Sequence, residues 1–174
     1  AASLIDFFIN KKILKIKKNQ LIKLTNQIGS DVILGIKPSN TIMSSNGNIK
    51  KYSKGIKFYT LVVKPSFGCS TQYIYSKVKV FSKSQFNFPK IKMFEAKHLK
   101  TLNNDLENIA FKKYPQLKKI KSFLSNTSNN IFTRMSGSGS SIIAYFKSKR
   151  ACGNAYSQFK RKFSRHWCIV SKTI

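Results

Sequence analysis

The stretch "NIFTRMSGSGSSIIAYF", residues 130–146, sets a run of small residues, Ser136 to Ser141, between two β-rich segments. Gly-Ser composition by itself describes a slack linker. A slack connector is rarely that short between two strands, so the run reads as a tight turn. In it, Gly137 and Gly139 supply positive φ or close backbone approach. The expectation is a strand over 131–136, a turn, and a strand over 141–147.

Outward from that turn, the C-terminal side continues as a helix over 148–163 and a strand over 167–173. On the N-terminal side, "IKFYTLVVKP" reads as a strand over 57–64 stopped by Pro65. "STQYIYSKV" opens a helix with Ser70 as its cap. Residues 79–92 are polar and irregular and read as a surface loop, followed by helices over 93–99, 104–113 and 115–125. In "QLKKIKSFL" the apolar Leu117, Ile120 and Phe123/Leu124 recur at helical spacing, which puts the lysines on the wet side.

Nearer the start, helices are expected over 1–12, with an apolar stripe of Leu4, Ile5, Phe8 and Ile9, and over 18–28. The second has Asn19 as N-cap and Gly29 as terminator. "SNTIMSSNGNIKKYS" reads as a hairpin turning at Asn46-Gly47. The fold class is α+β, a sheet covered by helices on one face, with a soft boundary near 53–57. The first residue lies in what reads as the middle of a helix, so an upstream segment is expected.

The chain has 174 residues, 33 of them basic and 5 acidic, for a net charge of +28. Such a field attracts polyanions, and a basic nucleic-acid-binding module is the competing functional reading. Only four of the cations are arginine, at 134, 150, 161 and 165, so the residue best suited to bidentate recognition is scarce. The lysine excess reads chiefly as a solvated, compositionally biased surface. No apolar run approaches a membrane span and no signal-peptide pattern opens the chain. Cys69, Cys152 and Cys168 show no paired spacing and read as free thiols in the cytosol.

With so few carboxylates, each can be weighed. Asp6 and Glu95 read as solvated. In "NNDLE", residues 103–107, Asn104 caps a helix and Glu107 reaches back as in a capping box, with Asp105 in the same helix start. Asp31, in "QIGSDVILGI", follows a helix terminator and precedes an apolar run. Spacing leaves it either an Asx-turn former or a positioned base. His98 and His166 have no companion at metal-ligand spacing. "PSFGCSTQYIY" joins a strand exit to Ser70, Thr71, Tyr73 and Tyr75. It is either a ligand-facing loop with a stacking aromatic or a capped helix whose tyrosines pack on the sheet.

Taken in order, "AAS", "QIGSDV", "KPSFGCSTQYIY", "NNDLENIAFKKYPQLKKI", "RMSGSGSS" and "WCIVSKTI" resemble the C-terminal part of a GHMP-superfamily kinase, the branch serving non-mevalonate isoprenoid synthesis. The resemblance implies a two-domain architecture, with residues 1–55 a remnant of the N-terminal ATP-binding domain. Residues 56–174 would form a ferredoxin-like C-terminal α/β sandwich. It implies transfer of the γ-phosphoryl of ATP, with Mg²⁺, to the 2-hydroxyl of a cytidine-diphosphate substrate. Asp31 matches the catalytic aspartate, Thr71 and Tyr75 the substrate wall, with Tyr75 set to stack on cytosine. Gly137, Ser138 and Gly139 match a motif that supports the phosphate-binding loop. The family commonly has Pro and Phe after the aspartate's valine, where Ile33, Leu34 and Gly35 follow Val32. The family's catalytic lysine and main phosphate loop would precede Ala1, so the chain alone is expected to be inactive. Its partners would be small molecules, without specific nucleic acid or membrane, and its state monomer or homodimer.

Overall fold

The computed structural model describes residues 1–29, 32–36, 38–44, 48–53, 55, 57–86 and 88–173, which fall into two compact units, Ala1–Lys54 and Gly55–Thr173. The first holds helices α1 (Ala2–Asn10), α2 (Lys18–Ile28) and α3 (Val32–Gly35), then a hairpin of β1 (Asn40–Met43) and β2 (Ile49–Tyr52). Of the expected α1 stripe, Ile5 is buried, Phe8 and Ile9 are half-buried, and Leu4 faces outward. Gly35 has a packing reason: a Cβ there would meet the Ala2 Cβ at 2.6 Å, so only glycine lets α1 and α3 approach.

Two local expectations for this unit change. Asn19 is not the cap of α2. The cap position falls two residues earlier, at Lys17, whose backbone N–H donates to Gln20 Oε1 at 3.0 Å. Gly29 does end α2, but in extended backbone and without a left-handed turn. The hairpin forms with Met43 opposite Ile49, and its expected Asn46-Gly47 turn lies outside the described residues.

The second unit carries β3 (Tyr59–Lys64), α4 (Thr71–Ser76), a 3₁₀ turn (Ile91–Phe94), α5 (Ala96–Thr101), α6 (Glu107–Lys113) and α7 (Pro115–Ser125). It continues with β4 (Asn130–Met135), β5 (Ile142–Phe146), α8 (Lys149–Lys162) and β6 (Trp167–Lys172). Its sheet is antiparallel throughout, in the order β4-β5-β3-β6. That order with a β-α-β-β-α-β succession is the ferredoxin-like split βαβ arrangement.

The strands alternate as a half-covered sheet requires. Leu61 and Val63 of β3, Ile142, Ala144 and Phe146 of β5, and Met135 of β4 turn one face inward, where α7 and α8 pack. Leu117, Ile120 and Leu124 of α7 and Phe159 of α8 meet them, all at or near zero exposure. Each such side chain contributes roughly 1.5–3 kcal/mol by leaving water. On the opposite face Trp167 and Ile169 stay about half exposed. The helix expected over 93–99 is replaced by the 3₁₀ turn and α5. α6 starts at Glu107 and not at 104, because Asn104 and Asp105 are engaged elsewhere.

Candidate functional site

The turn between β4 and β5 closes on itself: the Ser136 N–H donates to Ser141 O and the Gly139 N–H to Ser136 O, both at 2.9 Å. Gly137 and Gly139 take φ of +53° and +89°, the left-handed conformations that the small-residue run implied. The two glycines differ in surroundings. A Cβ on Gly137 would meet open space, whereas one on Gly139 would lie 3.0 Å from Met135 Sδ and 3.1 Å from Cys69 Sγ.

The strand exit at Pro65 comes alongside. Ser140 Oγ donates to Phe67 O at 2.8 Å, and the hydroxyls of Thr71 and Ser138 are hydrogen-bonded at 2.8 Å. Residues 67 and 73 positions apart in sequence are thereby joined. Thr71 opens α4 because Ser70 caps it: Ser70 Oγ accepts the Tyr73 N–H at 3.2 Å. The Ser70 N–H in turn donates to the Tyr114 hydroxyl at 3.1 Å, and the Tyr114 ring stacks on Phe67. The two tyrosines of α4 part company. Tyr73 packs on the core, its ring flanked by the ammonium groups of Lys77 and Lys113, while Tyr75, one turn after Thr71, is half exposed.

The start of α6 supplies what the sequence did not announce. The Asn104 carboxamide donates to two carbonyls, Met135 O at 3.1 Å and Gly137 O at 2.8 Å, while its oxygen accepts the Leu106 N–H. Glu107 does not reach back to its own helix as a capping box would. Its Oε1 accepts the Met135 N–H at 2.8 Å, and its Oε2 pairs with Lys121 of α7 at 2.5 Å. Asp105 is turned away from the helix and accepts the Ser82 N–H and hydroxyl. Those bonds hold its carboxyl below the usual range and fasten the 79–92 loop. The signal for these roles was the cluster of polar residues at 103–107. Its direction was invisible, because the partners lie about thirty positions away.

Three other polar groups border the site. Arg134 of β4 donates to the carbonyls of Leu99 and Leu102 at the end of α5, and its burial pulls the guanidinium's pKa down. Burial pushes the Cys69 thiol up, with Lys64 opposing, so it presents a neutral sulfur to Gly139. His166 accepts the Ser66 N–H on Nδ1 at 3.3 Å and stacks on Phe163. Asp31, the sequence's candidate base, lies outside the described residues. Among the described residues no three His, Cys, Asp or Glu side chains converge as a metal cage, and no helix is long and apolar enough to cross a membrane.

A split-βαβ unit whose glycine-serine turn is tied to a capped helix defines a class, and the comparisons agree. Residues 91–165 match the family model for the GHMP kinases' C-terminal region. That stretch of the chain is similar to the GHMP kinases' C-terminal region. The particular relatives carry one name, 4-diphosphocytidyl-2-C-methyl-D-erythritol kinase. That of Pelagibacter ubique (strain HTCC1062) is 67% identical over 174 residues, which is 100% of this chain and 62% of that protein. That of Clostridium novyi (strain NT) is 31% identical over 158 residues, 86% of this chain and 55% of that protein. A crystal structure of 4-(cytidine 5'-diphospho)-2C-methyl-D-erythritol kinase shares the fold, with a TM-score of 0.77 at 19% identity over 98% of this chain and 62% of that one. The chain thus spans 62% of the length of the Pelagibacter relative.

Proposed function

We propose that the protein to which this chain belongs transfers the γ-phosphoryl group of ATP to the 2-hydroxyl of 4-diphosphocytidyl-2-C-methyl-D-erythritol, in isoprenoid precursor synthesis. One observation carries the reading: identity of 67% along the whole chain to a protein of that name. The geometry is compatible with it. Phosphoryl transfer needs positioning and charge neutralisation more than covalent chemistry. The hydrogen bond between the Thr71 and Ser138 hydroxyls supports a reading in which Thr71 lines the substrate pocket beside the glycine-serine turn. In this reading Asp31 accepts or orients the hydroxyl proton, Tyr75 offers a free ring face to cytosine, and the lysine-rich surface concentrates two anionic substrates.

Residues 1–55 then belong to the ATP-binding domain and residues 56–174 to the C-terminal domain, working in the cytosol as monomer or homodimer. The described residues provide no carboxylate cage for Mg²⁺. The ion in this proposal arrives on the nucleotide's phosphates, as Mg²⁺ commonly does, and no step is assigned to it. The similarities favour the kinase over the nucleic-acid module that the charge suggested.

The test is ADP formation dependent on the cytidine-diphosphate substrate, by the purified protein made from its complete coding sequence. Asp31→Asn is expected to slow it by about 10²-fold or more while nucleotide still binds. Absence of substrate-dependent ADP refutes the activity, and unchanged turnover in Asp31→Asn refutes the role of that residue.

A further inference from the structure

We propose that Asn104 is a positioning residue for the glycine-serine turn, the fixed point from which the turn is held open to a phosphate-bearing ligand. The inference rests on the kinase reading for the ligand's identity, while the clamp itself rests on geometry.

One carboxamide gathers two carbonyls of the turn, Met135 O and Gly137 O, and cannot rotate freely because its own oxygen holds the Leu106 N–H at 3.0 Å. Glu107 takes the Met135 N–H, so both polar groups of residue 135's backbone are tied to the start of α6. Lys121 in turn fixes the Glu107 carboxylate. With the carbonyl of Gly137 drawn toward Asn104, the N–H of Ser138 points away from α6, since a trans peptide sets its two polar groups on opposite sides. The same residue's hydroxyl is met by Thr71. A donor directed outward between two positive-φ glycines is the arrangement by which backbone amides meet phosphate oxygens. Shells of this kind decide whether a loop is pre-ordered before ligand arrives.

The experiment uses Asn104→Ser and Asn104→Asp in the protein made from its complete coding sequence. Both side chains carry an oxygen that can keep the local bond to the Leu106 N–H, as asparagine does. Serine removes the long donor without adding charge, and aspartate keeps the shape. Amide hydrogen exchange across 136–140 is expected to speed up about tenfold in both variants, with α6 and α7 unchanged, as for the loss of two ordinary hydrogen bonds. The KM for at least one phosphate-bearing substrate is expected to rise by a similar factor in Asn104→Ser, with kcat less affected. Unchanged exchange in the turn overturns the clamp, and faster exchange with both KM values unchanged overturns its service to a ligand. If the unaltered protein transfers no phosphoryl group, the kinase reading fails, and the exchange data alone decide the clamp.

Discussion

Replacing Glu107 tests how α6 is attached to the sheet. Its carboxylate is 12% exposed and Lys121 29% exposed, so the pair is only partly screened by water. Glu107→Ala removes a charge-assisted bond and leaves the N–H of Met135, itself 2% exposed, without its acceptor; together these cost about 2 kcal/mol. Loss of the ion pair adds about 1 kcal/mol, at the upper end for exposed pairs. Glu107→Gln keeps an oxygen for Met135 and loses only the charge, so it should cost about 1 kcal/mol. Lys121→Met retains a stem to pack where the lysine lies over the Phe111 ring, and should cost a similar amount. The double variant should then be little worse than either single one. The assay is urea unfolding followed by the fluorescence of Trp167, the chain's one tryptophan, which sits in β6 and so reports the unit in question. With a slope of about 2 kcal/mol per molar urea, Glu107→Ala lowers the midpoint by about 1.5 M and Glu107→Gln by about 0.5 M. Equal shifts for alanine and glutamine would show that the bond to Met135 contributes nothing, and the attachment argued from it would fall.

Other expectations follow from the same geometry. Gly139→Ala should destabilise by about 2 kcal/mol and Gly137→Ala by about 1 kcal/mol, since both strain a positive φ but only the former presses on sulfur atoms. Thermal melting of the two variants checks the order, and a costlier Gly137→Ala would contradict it. His166 has its pKa lowered by burial and by Lys160 beside it, so the unfolded chain binds its proton at higher pH than the folded one. Stability from this group is therefore present above the unfolded value near 6.5 and is lost as pH falls through the depressed folded value. The melting temperature should decline between about pH 7.5 and 5.5, and His166→Phe should flatten that slope. A slope unchanged in the variant would exclude His166 as its source.

Much of the second unit was legible because its signals are local. β-rich runs bounded by breakers marked β3, β4 and β5, helical spacing marked α7, and Ser70 marked the start of α4 within one turn of chain. The glycines at 137 and 139 declared a turn because few other residues tolerate positive φ there. Local reasoning failed where side chains had long-range alternatives. At 103–107 the capping-box pattern was present, yet the carboxylate of Glu107 found a stronger combination of a buried N–H and an ammonium group across the fold. Asn19 offered a cap to α2, and the helix began before it.

The sequence by itself determined most of the second unit's elements, their order, and a turn that must be tight, because period and backbone permission are properties of neighbouring residues. Tertiary structure decided the rest. It set β3 between β5 and β6, brought Thr71 to Ser138, and turned Asn104 and Glu107 from helix starters into anchors for that turn. Those pairings are hydrogen bonds between groups about 30 to 70 residues apart, and nothing in a local window of chain encodes which donor will meet which acceptor once the core has closed.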